Sequence, residues 1–294
     1  MDIRSKIREW LLEDFGGAPL QYDAEKEPLC VAELRSKSNA ILAGSPFVLP
    51  VLEETQNLLA LGKSSPPEVN WRIDEGAGIS KGELLANVSG HTQTILKAER
   101  TALNLISHIS EIATHTANTL VRFGDFPETL KGIIDTRKNR PGLRYFEKYA
   151  VRAGGGQNHR LGFFDGEMIK DNDIVAAGSI PAAIDRQFGN RYMTETQIEV
   201  QNLAQLEKVF EDGRVHMILL DNMDIKTLQK AVTRTREVGI ASKTQKPYEL
   251  EASGIGDADI RSIAATGVDY ISTSSLIRSA PPLDFHMKIT RVDL

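Results

Sequence analysis

Residues 132–173 read GIIDTRKNRPGLRYFEKYAVRAGGGQNHRLGFFDGEMIKDND. The stretch opens with the short apolar run Gly132-Ile133-Ile134 and closes with Met168-Ile169, each followed at once by charged residues. Between the runs, residues 141–153 carry a helical pattern, and Pro141 suits its first turn, where a missing N–H does no harm. Short apolar runs recur at Gly132–Asp135, Glu167–Lys170, Gln197–Val200, Val215–Leu220, Tyr248–Glu251 and Val268–Ser272. Amphipathic stretches near 141–153, 179–189, 203–212, 224–238 and 257–266 lie between them. This alternation predicts a parallel sheet with right-handed crossovers. Six or seven strands favour an α/β barrel short of the full eight over an open sheet.

Nearly every run ends in polar or charged residues: Asp135-Thr136-Arg137-Lys138, Lys170-Asp171-Asn172, Glu199, Asp221-Asn222, Glu251-Ala252-Ser253 and Ser272-Thr273-Ser274. In an α/β barrel those ends converge on the face where active sites are built. Six converging sets point to an active-site face.

The quoted stretch is also basic. Between Arg137 and Lys170 stand eight Lys/Arg (137, 138, 140, 144, 148, 152, 160, 170) against three acids (147, 165, 167), inside a chain of net charge -5. Arg140, at the helix entrance, and Arg144, Lys148 and Arg152, at four-residue spacing, are expected on a solvated helix surface. Arg137, Lys138, His159, Arg160 and Lys170 remain as a cationic set, which Arg100 joins. Arginine grips carboxylates and phosphates through paired hydrogen bonds, while lysine acts as a point charge. Such a set implies a ligand with at least two anionic groups. Gly154-Gly155-Gly156 either brings N–H groups to an anion or simply ends the preceding helix.

Glu199 and Asp221 sit in or at the end of apolar runs, where an unpaired carboxylate is expensive to bury. They either face the cations or bind Mg²⁺, or form plain buried salt bridges. Ser253-Gly254 and Ser272-Thr273-Ser274 follow the last two strands, where such barrels commonly hold a phosphate.

The remaining residues form a smaller α+β region. Ile3, Ile7, Trp10 and Leu11 mark an amphipathic helix over 3–15. A helix over 47–62 would need Pro50 in its first turn, and short strands punctuated by glycine fill 63–90. Thr92–Leu120 is a long helical pattern with the domain boundary in or just after it. The division expected is 1–115 with 280–294, and 116–279. The 41% hydrophobic and 26% charged content is that of a soluble globular protein, and the acidic pI of about 5.8 argues against a nucleic-acid partner. No apolar run reaches membrane-spanning length, and the N-terminus lacks the apolar core of a signal peptide. The lone Cys30 excludes an intramolecular disulfide and fits a reducing cytoplasm.

The chain resembles the quinolinate phosphoribosyltransferase family, the carboxylating nicotinate-nucleotide pyrophosphorylases. The resemblance rests on Glu99–Asn104, Asp135–Lys138 with Pro141–Arg144, Glu147–Val151, Gly154–Gly156 with Asn158–Arg160, and Ile169–Asn172. It continues through Glu199, Leu219–Asn222, Glu251–Gly254 and Thr266–Ser272. It implies an N-terminal α/β sandwich domain, rejoined by the C-terminal segment, and an incomplete α/β barrel. The implied pentosyltransferase reaction joins quinolinate to phosphoribosyl pyrophosphate (PRPP) with Mg²⁺. It gives nicotinate mononucleotide, pyrophosphate and CO₂ for NAD biosynthesis. Arg137, His159, Arg160 and Lys170 would hold the quinolinate carboxylates, and Lys138 and Lys170 would approach PRPP. Arg100 would reach in from a neighbouring subunit of a homodimer or higher oligomer with shared active sites. Glu199 and Asp221 would bind the Mg²⁺-bearing ribose and stabilise an oxocarbenium-like transition state. Ser253, Gly254, Ser272 and Ser274 would surround the 5′-phosphate.

Departures from the family pattern are Ala18-Pro19-Leu20-Gln21, Ser253-Gly254-Ile255-Gly256, Ser274 for glycine, Ile277-Arg278 for Thr-His, Asp173 for His, and Glu111 for Gly. Asp173 and Glu111 motivate a second reading, a phosphoribosyltransferase for another pyridine or aromatic carboxylate. The altered phosphate loops motivate a third, a non-catalytic anion-binding homologue.

Overall fold

The structure, a computed structural model, describes residues 2–293 apart from 17–22, 24–25, 63–64, 124–126, 189–194 and 255–259. Ala18–Gln21 and Ile255-Gly256 lie outside the described residues. The chain begins with α1 (Ile3–Asp14), β1 (Leu29–Ser36), β2 (Ala40–Ile41) and α2 (Ser45–Leu58). Next come β3 (Glu68–Trp71), β4 (Gly78–Ile79), β5 (Leu84–His91) and α3 (Thr92–Phe123). Then follow β6 (Gly132–Ile134), α4 (Arg144–Ala153), β7 (Glu167–Ile169), α5 (Asp171–Ala177) and α6 (Ile180–Phe188). The chain continues with β8 (Thr196–Val200), α7 (Leu203–Asp212), β9 (Met217–Asp221), α8 (Ile225–Val238) and β10 (Glu249–Ser253). It ends with α9 (Ile260–Ala264), β11 (Tyr270–Ser272), α10 (Ser275–Arg278) and β12 (Phe285–Asp293).

Two compact units result. One comprises Met1–Ala117, Tyr145–Gly155 and Ala280–Leu294; the other comprises Asn118–Arg144 and Gly156–Ser279. In the first unit, β1 alternates buried and half-buried residues and lies between β12 and β5 in the antiparallel order β12-β1-β5-β3. The C-terminal strand thus pairs with the first strand, Leu29 opposite Asp293 and Ser36 opposite Phe285. Pro50 lies inside α2, beyond its first turn. The N–H groups of Gly44 and Ser45 at the start of α2 donate to the Glu75 carboxylate at 2.7 and 3.0 Å, an acid at the positive end of the helix.

Sequence order places 145–155 within the barrel stretch, but these residues group with the first unit. The reason is aromatic: Phe146 packs 5.4 Å from Trp10 and 5.0 Å from Phe47, while Tyr149 stands 5.1 Å from Phe47 and donates to Glu75. Burial, then Glu75, pushes the Tyr149 hydroxyl well above its ordinary pKa. Lys148, expected on a solvated surface, is instead 1% exposed, because α4 is covered over a wide arc that includes Phe146, Glu147, Ala150 and Val151. Arg140, Arg144 and Arg152 are exposed as expected. The three glycines after α4 end the helix: Gly154 and Gly155 donate to Ala150 and Arg152, and Gly155 has φ +88. A Cβ at Gly154 would collide with the Ala113 carbonyl and stand 2.8 Å from Thr116 Cβ, so close approach to α3 demands glycine there.

In the second unit, six parallel strands among the described residues follow the order β6-β11-β10-β9-β8-β7. Beyond β6, Gln157 forms an isolated parallel bridge to Ile134, where a further full strand would extend the sheet. This is an incomplete α/β barrel. Both faces of its strands are covered, so β8 is buried at all five positions. Among the described residues, no helix is long and apolar enough to cross a membrane.

The Asp212–Arg214 pair at the end of α7 stabilises this unit. Arg214 grips Asp212 in a fork, Nε to Oδ1 at 2.8 Å and Nη2 to Oδ2 at 2.6 Å. The Arg214 hydrogen bond holds the Asp212 carboxyl below its ordinary pKa. A depressed folded-state pKa contributes stability that is complete above the unfolded value, near 4, and is lost as pH falls through the folded value. Asp212→Asn is therefore expected to cost about 1–2 kcal/mol at neutral pH. Denaturant melts of the variant and the parent should converge in strong acid; a constant difference down to that pH would assign the effect to shape and not to charge.

Candidate active site

Successive side chains of a strand point to opposite faces. On one face Ile198, Val200, Ile218, Leu220, Leu250 and Ala252 are all 0% exposed. The other face carries Gln197 and Glu199 on β8, Leu219 and Asp221 on β9, and Glu251 and Ser253 on β10. Register sets Glu199 and Glu251 on either side of Leu219, and Ser253 beside Asp221 one layer further along. Strand polarity thus brings polar groups distant in sequence to one end of the unit.

They line a cavity of about 460 Å³. Its walls include Arg137, Lys138, His159, Arg160 and Lys170, the whole cationic set expected from the barrel stretch. Glu199, Asp221, Ser253, Gly254 and Ser272 complete the predicted residues in it. A cavity of about 550 Å³ shares Lys138, Asn222, Ser253, Gly254 and Ser272 and adds Ser274 and Arg278. Arg100 lies in the first unit, exposed on α3.

The cations differ in their engagement. Arg137 Cζ stands 4.2 Å from the Phe163 ring centroid, and its Nε is buried without a hydrogen-bond partner. Arg160 donates through Nη1 to the Gly166 carbonyl at 2.7 Å, and its Nε is likewise unpartnered. Burial, then the neighbouring charge of Arg137, pushes the Arg160 guanidinium below its ordinary pKa. Two guanidiniums close together in one cavity wall make an anion receptor. Lys170 Nζ pairs with Glu199 Oε2 at 2.7 Å, and the Glu199 residue is only 8% exposed. Asp221 accepts from the Asn222 amide at 2.7 Å. Glu199 is therefore the acid with the ion pair, whereas Asp221 is held by an uncharged neighbour.

His159 lines the cavity, and protein groups meet both of its ring nitrogens. Its Nδ1 accepts the Arg160 backbone N–H at 2.8 Å, and its Nε2 lies 3.1 Å from Gln197 Oε1 and 3.5 Å from Glu251 Oε2. With Nδ1 accepting, the proton sits on Nε2 and faces protein acceptors. His159 forms cavity wall and fixes the backbone of Arg160. The sequence places Glu251 among the converging strand ends but gives it no role, and Gln197 is marked there only by its polar position in an apolar run. Glu251 is 4% exposed and accepts from Gln197 Nε2 at 2.7 Å. Burial pushes its carboxyl up, but the neighbouring His159 and the Gln197 hydrogen bond prevail and hold it below its ordinary pKa. Asp135, 0% exposed, accepts from the His159 N–H and the Asn158 amide, tying the 157–160 loop to β6.

Three departures from the family pattern have a local setting in the structure. Asp173 accepts the Lys170 N–H at 2.9 Å at the start of α5, and it does not line the cavity. Ser274 has φ -75 and ψ -13, an ordinary right-handed conformation, so this position does not need glycine for its backbone. Glu111 belongs to the first unit, where it accepts the Leu283 N–H at 3.1 Å.

Residues 112–288 match the C-terminal domain, and residues 21–110 the N-terminal domain, of quinolinate phosphoribosyl transferase. The chain belongs to the quinolinate phosphoribosyltransferase family. Similar proteins include the carboxylating nicotinate-nucleotide pyrophosphorylase of Mycobacterium leprae, 36% identical over 85% of this chain and 82% of that one. A decarboxylating quinolinate phosphoribosyltransferase of Nicotiana tabacum is 32% identical over 98% and 82%. Among solved structures, the nicotinate-nucleotide pyrophosphorylase of Francisella tularensis superposes with a TM-score of 0.81 at 27% identity, covering 98% of this chain and 97% of that one. The quinolinate phosphoribosyltransferase match spans both units.

Proposed function

We propose that the protein transfers the phosphoribosyl group of PRPP to quinolinate with loss of CO₂, giving nicotinate mononucleotide and pyrophosphate for NAD biosynthesis. The observation that carries this reading is one cavity lined by Arg137, Arg160, Lys138 and Lys170 together with the two carboxylates of Glu199 and Asp221. A dicarboxylate suits the guanidinium pair, with Lys138 and Lys170 as added positive charge. The pyridine nitrogen then attacks the anomeric carbon as its bond to the pyrophosphate oxygen breaks. Glu199 and Asp221 stabilise the positive charge that develops on the ribose. One carboxyl leaves as CO₂, and the electron pair left on the ring takes up a proton. Ser253, Gly254, Ser272, Ser274 and Arg278 offer hydroxyl, N–H and guanidinium donors for the 5′-phosphate.

Mg²⁺ belongs to this reading as a companion of PRPP. Among the described residues no group of three His, Cys, Asp or Glu side chains is arranged to hold a metal. Glu199 and Asp221 nevertheless offer the one or two carboxylates that suit Mg²⁺ carried on phosphate oxygens. When bound, the ion supplies neutralisation of charge on the departing pyrophosphate. The reading also includes a homo-oligomer in which Arg100 comes from a neighbouring copy, and a reducing cytoplasm that suits the free, buried Cys30.

The direct test is release of pyrophosphate and CO₂ from quinolinate, PRPP and Mg²⁺ by the purified protein; no turnover by a folded sample would sink the proposal. Arg137→Ala is expected to weaken quinolinate binding by about 1.5–3 kcal/mol, the worth of a charge-assisted hydrogen bond. Calorimetry showing unchanged affinity would move Arg137 to a structural role.

A further inference from the structure

The loop between the 157–160 segment and β7 carries an exposed aromatic residue, Phe163, beside two arginines. Phe163 is 65% exposed, so it contributes little to any core, yet two arginines gather on it. Arg137 Cζ lies 4.2 Å and Arg160 Cζ 5.4 Å from the same ring centroid, both within the range at which a guanidinium is attracted to an aromatic face.

The loop is closed on itself so that this face is fixed. The Leu161 N–H donates to Asp165 Oδ2 at 2.6 Å, the Leu161 carbonyl accepts from Arg144 Nη1 at 3.0 Å, and Arg160 itself closes the loop on Gly166. Gly162 is buried, and a Cβ there would come 2.7 Å from the Phe164 ring. The glycine therefore lets Phe164 fold against its own loop.

We propose that Phe163 is a positioning and specificity-determining residue, whose ring gathers Arg137 and Arg160 into one receptor for two adjacent carboxylates. This rests on the functional reading above and deepens it. The N–H donors of a guanidinium lie in its plane, so a ring against its face leaves the donors not already engaged available to an acid. Two long arginine side chains held in place also lose less freedom when an acid binds. Gathering them brings like charges together, and burial together with that proximity already lowers the pKa of Arg160. Two carboxylates side by side relieve that repulsion, whereas a single carboxylate engages only part of the pair. Phe163 therefore favours pyridine-2,3-dicarboxylate over a pyridine monocarboxylate.

The test compares the full-length parent with Phe163→Leu and Phe163→Tyr. Turnover is measured with quinolinate varied at saturating PRPP and Mg²⁺, and calorimetry measures binding of quinolinate and of pyridine-2-carboxylate. Phe163→Leu is expected to raise KM and Kd for the dicarboxylate about fivefold to twentyfold, with kcat within about twofold and the monocarboxylate affected less than about twofold. Phe163→Tyr, which keeps the ring, should restore the parent values. Unchanged KM in Phe163→Leu, equal weakening of both acids, or a failure of tyrosine to rescue would overturn the proposal. The functional reading fails separately: a parent that binds no quinolinate overturns both, whereas a parent that binds it and a leucine variant that matches it overturn Phe163 alone.

Discussion

Glu199→Gln is expected to lower kcat about a hundredfold to a thousandfold, the scale seen when a preorganised charge stabiliser is removed. The residue is 8% exposed, so its field is little screened, and it opens onto the same cavity as Arg137 and Arg160. The substitution keeps shape and removes charge. Its cost to stability should be small, below about 1 kcal/mol, because the Lys170 side chain is 46% exposed and can be solvated when its partner is neutralised. Catalysis and folding therefore separate in this variant. Steady-state kcat at saturating quinolinate and PRPP, with a thermal melt alongside, reads both. A variant with parental kcat and a lowered melting temperature would make Glu199 a structural ion-pair partner and leave Asp221 to carry the charge; Asp221→Asn is the matching comparison.

The second large effect is expected at Gly254→Ala. Gly254 has φ +68, which an alanine adopts only under strain. The added Cβ would also collide with Asn222 Oδ1 and stand 2.8 Å from Asp221 Oδ1. Both close groups are side-chain ends, and Asn222 donates to Asp221, so the two have to turn aside together. The carboxylate of Asp221 must then shift, and a displacement of about 1 Å at a reacting centre can cost a hundredfold. We expect kcat/KM for PRPP to fall by about that factor, while the exposed loop position leaves the melting temperature within a few degrees. Parental PRPP kinetics in Gly254→Ala would show that the phosphate end tolerates rebuilding and that Asp221 is not held by this contact.

The barrel strands were legible because each apolar run is short and each helical stretch long, and the two periods do not mix. The converging polar ends were legible too, since a parallel sheet sends every strand's C-terminus to one end. Arg137, Lys138, Arg160 and Lys170 could therefore be grouped before any coordinates. The fate of 141–153 was not legible. Its amphipathic pattern shows which face is apolar, but not that Trp10 and Phe47 cover it, and so it could not show that Lys148 is buried. Gly154 looked like a possible anion cradle, yet a neighbouring backbone requires it. His159 reads in sequence as a ligand, and only geometry shows that both ring nitrogens are engaged.

The sequence by itself determined the alternation of strands and helices, the family, and the residue types of an anion-binding cavity, because these follow from periodicity and from motifs contiguous along the chain. Tertiary structure alone decided which unit α4 joins, which acid pairs with Lys170, and that Phe163 lies under two arginines. Those outcomes depend on distances between side chains far apart in sequence or turned by a loop, and neither hydrophobic periodicity nor charge spacing encodes such distances.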